Sequence, residues 1–156
     1  MDHGTSSMNE QFQALTIDPG SASVAYPLIR LHDAGISLQK WLVFARRRCR
    51  ARSGRSGLIA IRDCRGITHA VFSYRTEFDI RARKRLCISN LIIAHLPGSG
   101  IDDAVALSTG RIASQLGCQT ITVEQMFSPR TGVSTGCPTA KLLRSWPRRP
   151  VSTRQH

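Results

Sequence analysis

The stretch from Leu86 to Glu124 most narrows the folds open to this chain. Leu86–Ala94 reads LCISNLIIA, apolar at positions of both parities, as a strand buried on both faces requires. The turn His95-Leu96-Pro97-Gly98-Ser99-Gly100 follows, rich in the residues that break regular structure. The next residues repeat apolar side chains at helical spacing as far as Leu116, and Gly117 stops the helix. Cys118–Glu124 (CQTITVE) then reads as a second apolar strand. A glycine turn between a strand and a helix N-terminus leaves backbone N–H groups uncovered, which is what a phosphate or pyrophosphate site needs.

Within the helix, Ser99 is the expected N-cap, with Asp102 in the capping-box position three residues later. Ile101, Val105, Ser108, Ile112 and Leu116 form the predicted inward stripe, with Ala104, Leu107 and Ala113 beside them. Gly117 suits the left-handed position that ends many helices. Asp102 and Asp103 complement the helix dipole, and they also compete with an anion docking at that end.

These residues resemble the acetyl-CoA-binding core of the GNAT N-acetyltransferase superfamily, whose turn runs Gln/Arg-x-x-Gly-x-Gly/Ala. His95, Gly98 and Gly100 match that pattern, with His95 in place of the usual Gln or Arg. The resemblance implies an α/β (α+β) fold: a mixed, mostly antiparallel sheet flanked by helices. It also implies acetyl-CoA as co-substrate and an amine, small-molecule or peptide, as acceptor. The pyrophosphate would rest on His95, Gly98, Ser99 and Gly100, and the pantetheine arm along Leu91, Ile92 and Ile93.

The upstream order fits this picture from about Val24 onward. Leu58–Ile61 is a short apolar run, and Arg62–Gly66 reads as a hairpin turn. From Phe72 to Arg81 the chain alternates, with Phe72, Tyr74, Thr76, Phe78 and Ile80 on one face. An edge-like strand around Val24–Leu31 is expected to precede a single helix near Ser37–Arg52, where the family usually has two. After Glu124 the family adds a helix and a terminal hairpin, and Gln125–His156 shows no such periodicity, so the C-terminal part of the fold reads as incomplete. For a general base, the resemblance points to a carboxylate near the strand ends. Glu124 is the candidate, with Glu77 the other carboxylate weighed.

Charge bears on partners. The chain has 22 Lys+Arg against 10 Asp+Glu, a net +12. The excess lies in two places: Arg46, Arg47, Arg48, Arg50, Arg52 and Arg55, and a tail carrying Arg130, Lys141, Arg144, Arg148, Arg149 and Arg154. The rest of the chain is electrically neutral. Such clusters attract polyanions. The alternative function is therefore a catalytically inactive GNAT-like fold that binds nucleic acid or another polyanion through Arg46–Arg55 and the tail. The Ser37–Arg52 helix sets Leu38, Trp41, Leu42, Ala45 and Cys49 on one face, which suits packing on a sheet or lying on an acidic membrane.

The domain plan is a polar, disordered segment over 1–22, a GNAT-like domain over 23–126 and a basic, proline-containing tail over 127–156. No run approaches the ~18 apolar residues of a membrane span, and no secretory signal is apparent, so a cytoplasmic location is expected. Cys49, Cys64, Cys87, Cys118 and Cys137 form no C-x-x-C pair and have no histidine at zinc spacing. No metal site is expected, and Cys87 and Cys118 read as buried thiols.

Overall fold

The computed structural model describes residues 11–49 and 54–124. Five strands form one sheet in the order β1 (Phe12–Thr16), β2 (Ser56–Asp63), β3 (Thr68–Phe78), β4 (Lys84–Ile93) and β5 (Thr120–Val123). The first four pair antiparallel, and β4 and β5 pair in parallel. A parallel pair needs a crossover, and α3 (Ile101–Gln115) supplies it. A short 3-10 turn (Ala22–Ala25), α1 (Tyr26–His32) and α2 (Leu38–Cys49) precede β2. This is an α+β architecture with a mixed, mostly antiparallel sheet.

Both faces of the sheet are covered, which is why β2 to β4 are apolar at both parities. One face packs Ile61, Phe72, Ile88 and Leu91 against Ile101 and Val105 of α3. The other packs Leu58, Val71 and Ile92 against Leu28 and Ile29 of α1 and Trp41 and Ala45 of α2.

Several expectations are corrected. Phe12–Thr16, placed by sequence in a disordered leader, is strand β1, paired with β2 from Phe12↔Asp63 to Thr16↔Ile59. The strand expected at Val24–Leu31 is 3-10 turn and α1. Pro27 lies in the first turn of α1, where its missing N–H costs nothing, and Leu28 and Ile29 bury themselves beside Ala25. Two helices therefore precede β2, where one was expected. Ser37 caps α2, its Oγ accepting from the Lys40 N–H at 3.2 Å. The apolar stripe of α2 faces the sheet: Trp41 and Ala45 are buried, and the Trp41 indole donates to the Ala22 carbonyl at 2.6 Å. That packing uses the Trp41 and Ala45 side of α2, while Leu38 and Val43 stay exposed.

Strand β3 starts at Thr68 and ends at Phe78, short of Arg81. The Asp79 carboxylate accepts from the Arg81 and Arg83 N–H groups at 2.8 and 2.9 Å, so the chain turns there and Ile80 lies fully in solvent. Ser73, on the opposite face from Phe72, is buried as well because helices cover that face too. In α3 the fully buried line is Ile101, Val105, Thr109 and Ala113; Ile112 and Leu116 pack half-buried against the same core as expected, and Thr109 is the member the spacing did not name. The buried Thr109 hydroxyl is satisfied by the Val105 and Ala106 carbonyls at 3.1 and 2.9 Å. The N-cap is Gly100, at φ 75°, and not Ser99. At the other end Gly117 has φ 68°, with Cys118 N–H on the Ala113 carbonyl and Gly117 N–H on that of Ser114, a Schellman closure. Arg50, Arg52, the tail and the expected incomplete C-terminal part lie outside the described residues. No described helix is long and apolar enough to cross a membrane.

Candidate active site at the parting of two strands

The site begins with a bulge in β4. Val71 pairs with Ile92 and Ser73 with Ser89, so Asn90 and Leu91 together oppose Phe72. Asn90 adopts φ 53°, a left-handed conformation that asparagine tolerates better than most residues. Its Nδ2 donates to Ser73 Oγ at 3.0 Å, and Ser73 Oγ meets Ser89 Oγ at 2.8 Å. The extra residue resets the alternation, so Ile88, Leu91 and Ile93 share the α3 face while Ile92 joins the opposite core.

The parallel partner stops short of this bulge. Strand β5 matches β4 only from Arg85↔Thr120 to Ile88↔Val123, and its last link is the Glu124 N–H on the Ile88 carbonyl at 2.8 Å. Strand β4 runs on to Ile93 with no strand on that side among the described residues. The Ala94 N–H points to the His69 carbonyl of β3 at 2.8 Å, so alternation turns the peptide groups of Ile93 to the open edge. The Leu91, Ile92 and Ile93 side chains are buried, which leaves backbone as what this stretch offers a ligand.

The open edge leads to the glycine turn. The Ser99 N–H closes on the Leu96 carbonyl at 3.1 Å, with Pro97 second and Gly98 third at φ 71°. This is a type II turn, which demands glycine or asparagine at the third position. A Cβ added at Gly98 or Gly100 would meet nothing within 4 Å, so the backbone angle alone selects glycine. Of the expected anion-binding amides, that of Ser99 is consumed by the turn, and Pro97 has none. The Gly98 and Gly100 N–H groups meet no acceptor among the described residues, and they lie at the positive end of α3. His95 Nδ1 lies 3.6 Å from Asp102 Oδ1.

Glu124 directly follows β5, at the last hydrogen bond between β5 and β4. Its Oε1 accepts from Arg75 Nη2 at 2.6 Å, and Arg75 Nε donates to Glu77 Oε1 at 2.6 Å. Arg85 Nη2 donates to the other Glu77 oxygen at 2.8 Å. The Arg85 hydrogen bond first, then that of Arg75, holds the Glu77 carboxyl down at about 2. Burial first, then the Glu77 charge, pushes the neighbouring Cys87 thiol up to about 11. Ligand atoms of Glu77, Cys87 and Glu124 lie within 4.8 Å of one another. Arg75 bonds both carboxylates there and already brings the positive charge a cation would supply.

No sequence-family model and no curated protein sequence matches this chain. Solved structures do. An integron cassette protein from the mobile metagenome of V. cholerae superposes with a TM-score of 0.62 at 15% identity, covering 94% of this chain and 90% of that one. A ribosomal-protein-alanine N-acetyltransferase from Brucella melitensis gives 0.59 at 12% identity, covering 77% and 82%. An aminoglycoside N-acetyltransferase in complex with CoA gives 0.60 at 8% identity, covering 74% and 78%. The chain has the GNAT fold.

On the opposite side of the sheet from α3, this GNAT fold carries a cleft of about 160 Å³. Ile36, Trp41 and Phe44 line it from the helical side, and Val71 and Ile92 from the sheet. Its polar lining residues are Lys40 and Asn90. Sequence reasoning missed the cleft, the bulge at Asn90 and the clamp of Arg75 on Glu124. One signal was present: a lone asparagine inside an apolar strand has no place on a fully buried face unless the strand deforms.

Proposed function

We propose that the chain is an acetyl-CoA-dependent N-acetyltransferase acting on an amine. The observation that carries this reading is the continuous path from the open β4 edge past Ile88 to the Gly98 and Gly100 amides. An extended amide-bearing arm pairs with a free strand edge as a further strand would. Two uncovered amides at a helix N-terminus suit a diphosphate, although Asp102 and Asp103 weaken the attraction.

Bound acetyl-CoA supplies an activated acetyl thioester, and the chain's residues position it and the amine. The Ile93 peptide groups hold the arm; Gly98, Gly100 and His95 hold the diphosphate end. Glu124, held by Arg75 at the end of the β4–β5 pairing, takes the proton from the attacking amine directly or through one water as the amide C–N bond forms. The thioester C–S bond breaks and CoA leaves as the thiolate, which takes up a proton. Holding both reactants in register is the larger part of such catalysis.

Titration calorimetry with acetyl-CoA tests the reading, using the wild type beside Gly98→Glu. Micromolar binding that the variant loses supports it; no binding by a folded wild type overturns it. Arg46 and Arg47 are exposed on α2, which is the observation favouring a polyanion-binding GNAT-like fold instead. That reading requires salt-sensitive nucleic-acid binding that survives Gly98→Glu.

A further inference from the structure

We infer that the acceptor is a small apolar amine carrying a carboxylate, of amino-acid type, and that it occupies the cleft between α2 and β4. This rests on the acyl-transfer reading for its chemistry, but the binding it describes is measurable alone. Size comes first. An apolar cavity of ~150 Å³ takes a benzene-sized group, and this cleft holds about 160 Å³. Its walls are aliphatic and aromatic, with the Trp41 and Phe44 rings stacked 5.7 Å apart. They are braced: the Trp41 indole donates to the Ala22 carbonyl, and the Tyr26 hydroxyl donates to the Ile36 carbonyl at 2.9 Å. The pocket is therefore preformed for an aryl or branched aliphatic group.

Charge comes second. Among the described residues no carboxylate lines the cleft, so a polycationic amine finds no counter-charge from them. Lys40 supplies a single positive charge from the first turn of α2, and that turn carries no acid. The dipole of the same helix end adds attraction for an anion. The third feature orients the amine. Asn90 Nδ2 is held by Ser73 Oγ, so its side-chain carbonyl is left without a partner among the described residues. It is an acceptor for an amine N–H, beside the strand edge on which the acyl donor is placed.

The test is calorimetry on the full chain without acetyl-CoA, using L-phenylalanine, 2-phenylethylamine and kanamycin. L-phenylalanine is expected to bind, 2-phenylethylamine to bind about fivefold more weakly, and kanamycin not to bind. Lys40→Met keeps the apolar stem and is expected to weaken L-phenylalanine about fivefold while leaving 2-phenylethylamine unchanged. Equal binding of the two aryl amines, an unchanged Lys40→Met variant, tighter binding of kanamycin, or no binding of L-phenylalanine by a folded protein each overturns the inference. A separate acetyl-CoA titration keeps the two claims apart. Cofactor binding without amine binding sinks this inference alone, and lysine-dependent amine binding without cofactor binding sinks the acyl-transfer reading alone.

Discussion

Replacing Asn90 by glycine and by valine separates what its backbone does from what its side chain does. The residue sits at φ 53°, where an ordinary L-residue costs ~1–2 kcal/mol and a β-branched one more. Both substitutions remove the hydrogen bond from Nδ2 to Ser73 Oγ, worth ~1 kcal/mol. Glycine is at ease in that conformation, so Asn90→Gly is expected to lose no more than ~1 kcal/mol. Valine loses the bond and takes the full left-handed penalty, for a total of ~2–3 kcal/mol. The strand cannot escape by dropping the bulge, because that would turn Leu91 and Ile93 off the α3 face where both are buried. At about 4 °C per kcal/mol for a domain of this size, Asn90→Val should melt ~8–12 °C below wild type and Asn90→Gly within ~4 °C. Thermal unfolding followed by circular dichroism measures both. Two variants that melt together, or a glycine variant that falls as far as ~10 °C, would refute the left-handed bulge as the controlling feature.

Acid sensitivity is the next expectation. The hydrogen bond from His69 chiefly holds Asp63 down at about 2, against an ordinary value of 3.8. Glu77 is likewise held at about 2, against 4.5, chiefly by Arg85. Both folded-state values lie below the unfolded ones, so the stabilisation is complete above about pH 4.5 and drains away as pH falls toward 2. Melting temperature should therefore drop steeply between those limits, and Glu77→Gln should flatten the slope; an unchanged slope would count against the Arg85–Glu77–Arg75 network. Thiol reactivity is the other. Cys64 is exposed, whereas Cys87 and Cys118 are buried with thiols pushed up by desolvation. Mass mapping after brief native alkylation should find label on Cys64 and none on Cys87 or Cys118, and early labelling of Cys87 would contradict its place in the sheet.

The legible part of the fold was the part specified locally. Leu86–Ala94, the glycine turn, α3 and β5 each announce themselves within about fifteen residues, through doubled apolar parity, helical spacing or a stop glycine. Helix α1 did not. Its seven residues are too few to show a helical period, and Val24, Tyr26 and Leu28 mimic strand alternation. Burial of Ala25, Leu28 and Ile29 against the sheet decides the matter, and that is a tertiary fact. Strand β1 was hidden for the opposite reason: FQALT is half-exposed, and pairing with β2 is what holds it extended. At the site, the glycines were legible because a positive φ selects them by residue type. The loss of the Ser99 amide was not, since it depends on which carbonyl the turn closes on. The cleft gathers Ile36, Lys40, Val71 and Asn90 from four separate parts of the chain, and no local pattern carries that.

The bulge also explains why the open edge lies where it does. An inserted residue bends its strand and increases local twist, and here it falls just after Ile88, the last residue paired with β5. Among the described residues β5 pairs no further than that point, while β4 stays paired with β3 as far as Ile93. The same residue then lines the cleft on the other face with its side chain. One left-handed asparagine thus sets both the edge proposed for the acyl donor and a wall of the pocket proposed for the amine. The two sites meet because they share a single deformation of one strand. A substitution that straightened β4 would on this reasoning lose both together, while one that only trimmed the Asn90 amide would leave the edge open and blunt the pocket.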